Sequence, residues 1–258
     1  FAPKSWYYKF MKKIVAMGSG EIGRPGFPVE TTQIDKEIMN LTGKKNPRLL
    51  FIPTASADSK SYFETVKKHF GKLGCKTDVL YLINKNLSKK EISKKVFGSD
   101  IIYVGGGNTL NMMKVWRKTG VDKILKQAYE KGIVLSGLSA GSICWFRWGS
   151  SDSRKSINSK ADLIKVSGLG LINALHCPHY NFEKDRKPDL KKMTRKTPCV
   201  AIAIDNCCAI EVIDDKYRII SSKSSANAYK VYWKANKYYE EVIKKEKEFK
   251  LLKDLLRK

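Results

Sequence analysis

Gly137-Leu138-Ser139-Ala140-Gly141 sets a serine between two glycines at the spacing of a nucleophile elbow. Gly132-Ile133-Val134-Leu135-Ser136 before it has a strand's composition, and Ser142-Ile143-Cys144-Trp145-Phe146 after it continues as a buried helix would. A turn this tight leaves no room for side chains at its flanks and pushes the serine outward at the strand's carboxyl end. There its hydroxyl meets a helix N-terminus, whose free N–H groups favour developing negative charge. The chemistry this serves is acyl transfer, which needs a base beside the serine and an acid to hold that base. Of the three histidines, His69 falls inside a helix predicted over 58–72 and is expected at the surface. His176 and His179 share one loop after a predicted strand, and the residue pattern does not choose between them. Candidate acids are Asp152, Asp162, Glu183 and Asp185; Asp152, in Ser150-Ser151-Asp152-Ser153, gives the order serine, acid, histidine of elbow-type hydrolases. Ala140 N–H and the run Gly105-Gly106-Gly107 could supply the oxyanion donors, since glycine lets a backbone approach a ligand closely. The triple glycine lacks the dinucleotide spacing and the Gly-Lys-Ser/Thr ending of a phosphate cradle.

These residues need strand ends to stand on, and the chain supplies them in alternation. Lys12–Gly18, Arg48–Pro53, Thr77–Ile83, Asp100–Val104 and 133–136 read as strands, several continuously apolar as in sheets buried on both faces. Helical spacing fills 30–41, 58–72, Leu110–Lys118 and 121–131, and Ser88-Lys89-Lys90-Glu91 is a capping box opening one more helix. Strict alternation predicts an α/β fold with a largely parallel sheet covered by helices on both faces, and ligands bind beyond the carboxyl ends of such strands. After the elbow the pattern changes. Ser150–Ser159 reads as a polar loop, Leu163–Leu171 as short strands, 183–195 as a basic helix or lid, and Val200–Ile204, Cys208–Ile213 and Tyr217–Ser221 as strands. The lysine-rich stretch from about 237 onward is expected to form an amphipathic helix.

Composition narrows the classes. With 258 residues and 42% hydrophobic content the chain can bury a sizeable core, and 11–258 is expected to form one domain. Residues 1–10 lack the apolar core of a secretory signal and are expected to be an extension or cloning remnant ahead of a start at Met11. Six cysteines without a Cys-x-x-Cys pair or zinc spacing point to a reducing cytoplasm, and no apolar run has the length of a membrane span. The charge of +25 comes from lysines spread along the chain, which reads as solvated faces; no nucleic-acid-binding motif accompanies it.

Taken together and in order, Val104-Gly105-Gly106-Gly107-Asn108-Thr109, Gly137-Leu138-Ser139-Ala140-Gly141-Ser142 and Cys177-Pro178-His179-Tyr180 resemble the peptidase E family of aspartyl dipeptidases and, more distantly, cyanophycinases. The resemblance also covers Gly18-x-Gly20-Glu21-Ile22-Gly23, Phe51-Ile52-Pro53-Thr54-Ala55-Ser56 and Ala201-Ile202-Ala203-Ile204-Asp205. It implies a fold similar to class I glutamine amidotransferases and a cofactor-free, metal-free Ser–His–Asp hydrolase acting on short peptides with N-terminal aspartate. Carried over, Ser139 is the nucleophile, His179 the base, Asp152 the acid, and Gly106 or Gly107 with Ala140 the oxyanion hole. Asn206-Cys207-Cys208 departs from a frequent Asp-Gly-Ala, and Ser150 or Ser151 from a frequent histidine. Arg186 and Arg195 are the candidates for gripping a substrate carboxylate, because guanidinium binds carboxylate as a bidentate fork.

The expected activity is therefore that of a serine dipeptidase, with a short peptide as partner, no specific nucleic acid, no membrane, and a homodimer compatible with the sequence. An α/β-hydrolase-type esterase shares the elbow, but its histidine usually lies near the chain end. A non-catalytic binding protein on this scaffold would bind nucleic acid with strong salt dependence.

Overall fold

The computed structural model describes residues 11–83 and 85–258; the expected N-terminal extension, 1–10, lies outside them. Strands β1 (Lys13–Met17), β2 (Arg48–Ile52), β3 (Lys76–Val79), β4 (Ile101–Val104) and β5 (Val134–Leu138) run parallel in the order β1-β5-β4-β2-β3. Helices α1 (Thr32–Asn40), α2 (Lys60–Lys72), α3 (Lys89–Phe97), α4 (Thr109–Thr119) and α5 (Val121–Glu130) connect them. Both faces are covered, which is why β1, β4 and β5 are buried at every residue and read as unbroken apolar runs. The capping box forms as expected, Ser88 accepting from Glu91 N–H and Glu91 from Ser88 N–H. Antiparallel β10 (Cys208–Ile213), β11 (Lys216–Ser221) and β14 (Lys250–Leu251) extend the sheet beyond β1 to eight strands.

A second sheet holds the rest: β6 (Phe146–Ser151), β7 (Ile164–Ser167), β8 (Ile172–Cys177), β9 (Ala201–Ile204), β12 (Ala228–Lys234) and β13 (Lys237–Ile243), in the order β13-β12-β9-β8-β6-β7. β6, β8 and β9 are parallel to one another. Ile14, Leu135 and Ile210 of the first sheet share one core with Phe146, Ile172 and Ile204 of the second, joined by Trp116 and Trp145. Burying each such side chain stabilises the fold by about 1.5–3 kcal/mol. α1 and α2 pack on the other face of the first sheet through Ile34, Ile38, Val66 and Phe70. Helix α7 (Arg186–Lys196) covers the second sheet through Leu190.

Three expectations fail for physical reasons. The elbow helix, α6 (Ala140–Ile143), is a single turn, because β6 begins at Phe146 and carries the chain into the second sheet. The tail is not an amphipathic helix. Ala235 and Asn236 both take positive φ (49° and 60°), the two-residue turn that matches strand twist, and fold 237–243 back on β12. Tyr232 stacks on Tyr239 across that hairpin at 5.0 Å, and the chain ends in a one-turn helix, α8 (Leu252–Leu255). His69 is not at the surface: its Nε2 meets the fully buried Asp35 carboxylate at 2.7 Å, and Thr31 also donates to that carboxylate.

Candidate active site

Ser139 leaves β5 with φ 55° and ψ −117°, a conformation that costs ~1–3 kcal/mol for a residue with a side chain. The flanking glycines make it possible. A Cβ at Gly141 would lie 2.0 Å from Val104 O, and one at Gly137 2.5 Å from Gly141 O, so the turn packs backbone on backbone. Ser139 therefore projects at the carboxyl end of the first sheet. His179 projects beyond β8, in the second sheet, also on left-handed backbone (φ 56°). The two meet at the seam between the sheets, with Ser139 Oγ 2.8 Å from His179 Nε2. Two strained residues facing each other mark a place where the fold has been held against local preference.

The other nitrogen of the ring, His179 Nδ1, lies 3.1 Å from Asn206 Oδ1. Asp152, the acid expected there, makes no hydrogen bond to His179. Its carboxylate sits 3.8 Å from Arg186 Nη2 and stays partly exposed. The cause is the extra strand: β6 runs to Ser151, and Asp152 enters the following turn pointed at that guanidinium. Glu183 approaches His179 Nδ1 only to 3.9 Å, while its other oxygen accepts from Arg186 Nε at 2.7 Å. Burial lowers the His179 pKa below the ordinary value of ~6.5, and the Arg186 charge adds to it against Glu183 and Asp152. The sequence flagged Asn206 only as a departure, standing where the family resemblance has a frequent Asp; its place behind His179 came from the fold.

Gly106 lies against Ser139, and its N–H donates to Tyr62 Oη at 3.2 Å. Ala140 and Gly107 N–H make no hydrogen bond among the described residues. Gly107 has φ 134° and wraps so close to Ala55 O that any side chain there would clash. A pocket of about 880 Å³ opens over Ser139, His179 and Gly106. Glu21 and Arg24 line it as an ion pair at 2.7 Å, with Lys68 and Glu64 along the wall. Burial pushes the Glu21 pKa up, but the Arg24 hydrogen bonds outweigh it and hold Glu21 below the usual carboxylate range.

The sequence profile of Peptidase family S51 matches residues 14–220. The chain belongs to peptidase family S51. The resemblance to peptidase E noted in the sequence is thereby borne out. A Bacillus subtilis (strain 168) protein named "Uncharacterized peptidase YgaJ" is 38% identical over 225 residues, covering 86% of this chain and 92% of that one. A Listeria monocytogenes protein, "Uncharacterized peptidase Lmo0363", is 32% identical over 149 residues, 55% of this chain and 68% of its own. In three dimensions the chain is similar to a crystal structure of a peptidase from an acI-B1 Actinobacterium. The TM-score is 0.70 at 19% identity, over 95% of this chain and 99% of that one, a likeness of fold.

Within this S51 chain the two arginines expected to grip substrate are placed elsewhere. Arg186 is 1% exposed and serves the protein itself, donating to Glu183 and to Ser150 O at 2.9 Å. Arg195 lies on the exposed side of α7, its guanidinium 5.2 Å over the Trp233 ring, and does not line the pocket. Sequence reasoning missed Arg24 and Lys68, although Arg24 directly follows the Gly18–Gly23 segment that carried part of the resemblance. Among the described residues no group of three or more His, Cys, Asp or Glu side chains is placed to hold a metal ion, and no helix is long and apolar enough to cross a membrane.

Proposed function

We propose that this S51 peptidase is a serine dipeptidase that cleaves short peptides with an N-terminal aspartate. The observation that carries the reading is the 2.8 Å contact between Ser139 Oγ and His179 Nε2 on the floor of the pocket. In this reading Ser139 attacks the peptide carbonyl while His179 takes its proton and returns it to the leaving amine. Water then hydrolyses the acyl-enzyme by the same base. The oxyanion develops beside Ala140 N–H and the Gly106–Gly107 backbone, where fixed donors are worth several kcal/mol of barrier.

The pocket supports the substrate class by charge. Glu21 carries negative charge at neutral pH and can receive the α-ammonium group of a peptide. Lys68 makes no ion pair among the described residues and can receive a substrate side-chain carboxylate. The test is hydrolysis of an N-terminal aspartyl chromogenic amide by the wild type and Ser139→Ala in parallel. Turnover that collapses in the variant supports the reading; wild-type turnover of acyl esters with none of aspartyl amides would replace it with an esterase.

A further inference from the structure

We propose that Asn206 is the positioning residue of the base: a neutral amide, not a carboxylate, fixes the tautomer of His179. The inference rests on the serine-peptidase reading of Ser139 and His179 and deepens it. For Nε2 to accept the Ser139 proton, the resting imidazole must carry its own proton on Nδ1. An acceptor opposite Nδ1 enforces that state, and Asn206 Oδ1, at 3.1 Å, is that acceptor.

The carboxylates that might have served are already engaged. Arg186, buried, holds Glu183 at 2.7 Å and stands 3.8 Å from Asp152. One guanidinium thus draws both negative groups off the ring and leaves the slot to the amide. Asn206 is itself braced from two sides. Its N–H donates to Asn181 Oδ1 at 3.1 Å, in the loop that carries His179. The next residue, Cys207, is held at φ 64° with its N–H on Ser19 O at 2.7 Å, in the loop that lines the pocket. The amide therefore moves with both the base and the pocket wall.

An amide orients an imidazole but does not stabilise the imidazolium as a carboxylate does. The charged and titratable groups facing His179 are Glu183 and Arg186 from its own loop and α7, Asp152 from the turn after β6, His176 from β8, and Glu21 and Arg24 across the pocket. Within that set a new carboxylate at 206 would be the one anion in hydrogen-bond contact with the ring. It would favour the charged ring, so the acid limb of activity should move to higher pH.

Three measurements decide the matter. The first is the nitrogen-15 NMR signature of His179 in the folded wild type at neutral pH, which reads the tautomer without any substrate. The second is reaction of Ser139 with a fluorophosphonate across pH, which reads nucleophilicity without assuming a peptide. The third is the pH profile of kcat/KM for aspartyl amide hydrolysis. We expect the Nδ1–H tautomer in the wild type. Asn206→Asp should raise the midpoint of the acid limb by about one pH unit in both reactivity assays. Asn206→Ala should lower kcat on the order of 10²–10⁴-fold with KM little changed. An Nε2–H wild type, or an Asn206→Asp acid limb that stays where the wild type has it, would overturn the proposal even if Asn206→Ala failed to fold. If no peptide is turned over, the proposed activity fails while NMR and phosphonylation still decide the role of Asn206.

Discussion

Among the described residues are two serine–histidine pairs of the same length, three residues apart in both partners. Ser139 Oγ lies 2.8 Å from His179 Nε2, and Ser142 Oγ lies 2.8 Å from His176 Nε2. Contact geometry alone would make them equivalent. Their surroundings do not. His176 sits inside β8, wholly buried and stacked at 4.5 Å on Phe146, with Nδ1 donating to Ile202 O at 3.0 Å. Ser142 is inside the one-turn helix, its hydroxyl set between His176 Nε2 at 2.8 Å and Ser139 O at 2.7 Å. That pair fastens the elbow to the second sheet. His179 stands on strained backbone beyond the strand end, beside a pocket, with a polar partner behind it. Access, strain and what lies behind the ring thus separate the two pairs, which the shared 2.8 Å distance does not.

The largest effect should come from the serines. Ser139→Ala should abolish peptide turnover, by on the order of 10⁴-fold or more, with a near-wild-type urea midpoint. Ser142→Ala should do the reverse, leaving kcat within a few fold while destabilising by about 1–3 kcal/mol, because a buried imidazole nitrogen loses its partner. If Ser142→Ala cost turnover as heavily as Ser139→Ala at equal stability, the division between the pairs would collapse.

Acid separates the histidines next. Burial pushes the His176 pKa down to about 3, so between that value and the unfolded ~6.5 the unfolded chain binds the extra proton. Stability is fully present above ~6.5 and lost as pH falls, on the order of 3 kcal/mol by pH 4 from this group. Replacing His176 with Gln should flatten that part of the stability profile, as followed by urea melts from pH 7 to 4. His179, also lowered, should keep kcat/KM on its plateau below pH 6.5 before protonation ends it. An acid limb above 6.5 would contradict the burial that separates it from solvent.

Pocket substitutions should be milder. Lys68→Met should raise KM for aspartyl substrates by about tenfold and leave alanyl substrates unchanged, the difference of one partly screened charge contact. Smallest of all, Arg195→Ala should leave kinetics unaltered and cost stability no more than about 1 kcal/mol, since it loses only an exposed contact over Trp233.

Much of this was legible in the chain because the information was local. Apolar runs identified the buried parallel strands, the Ser88 capping box identified a helix start, and the glycines around Ser139 identified a turn whose packing excludes side chains. His69 misled because surface position was inferred from helix membership, while its partner Asp35 lies 34 residues away. The tail misled because its lysines and glutamates suit an exposed strand as well as a helix, and the Ala235-Asn236 reversal, a weak signal, settled the matter.

By itself, then, the sequence determined the α/β alternation, the elbow with its outward serine, and membership of a peptidase family whose motifs recur in order. Only the tertiary structure decided that the chain builds two sheets and that Ser139 and His179, paired in the sequence by family resemblance alone, meet at their seam. It also decided that Arg186 holds Glu183 and stands by Asp152, leaving Asn206 behind His179. The physical reason is range. Strand, turn and cap preferences act over a few residues and are written there, whereas hydrogen-bond partners at a site are set by which strand ends the packed core brings within 3 Å, and no local pattern encodes that.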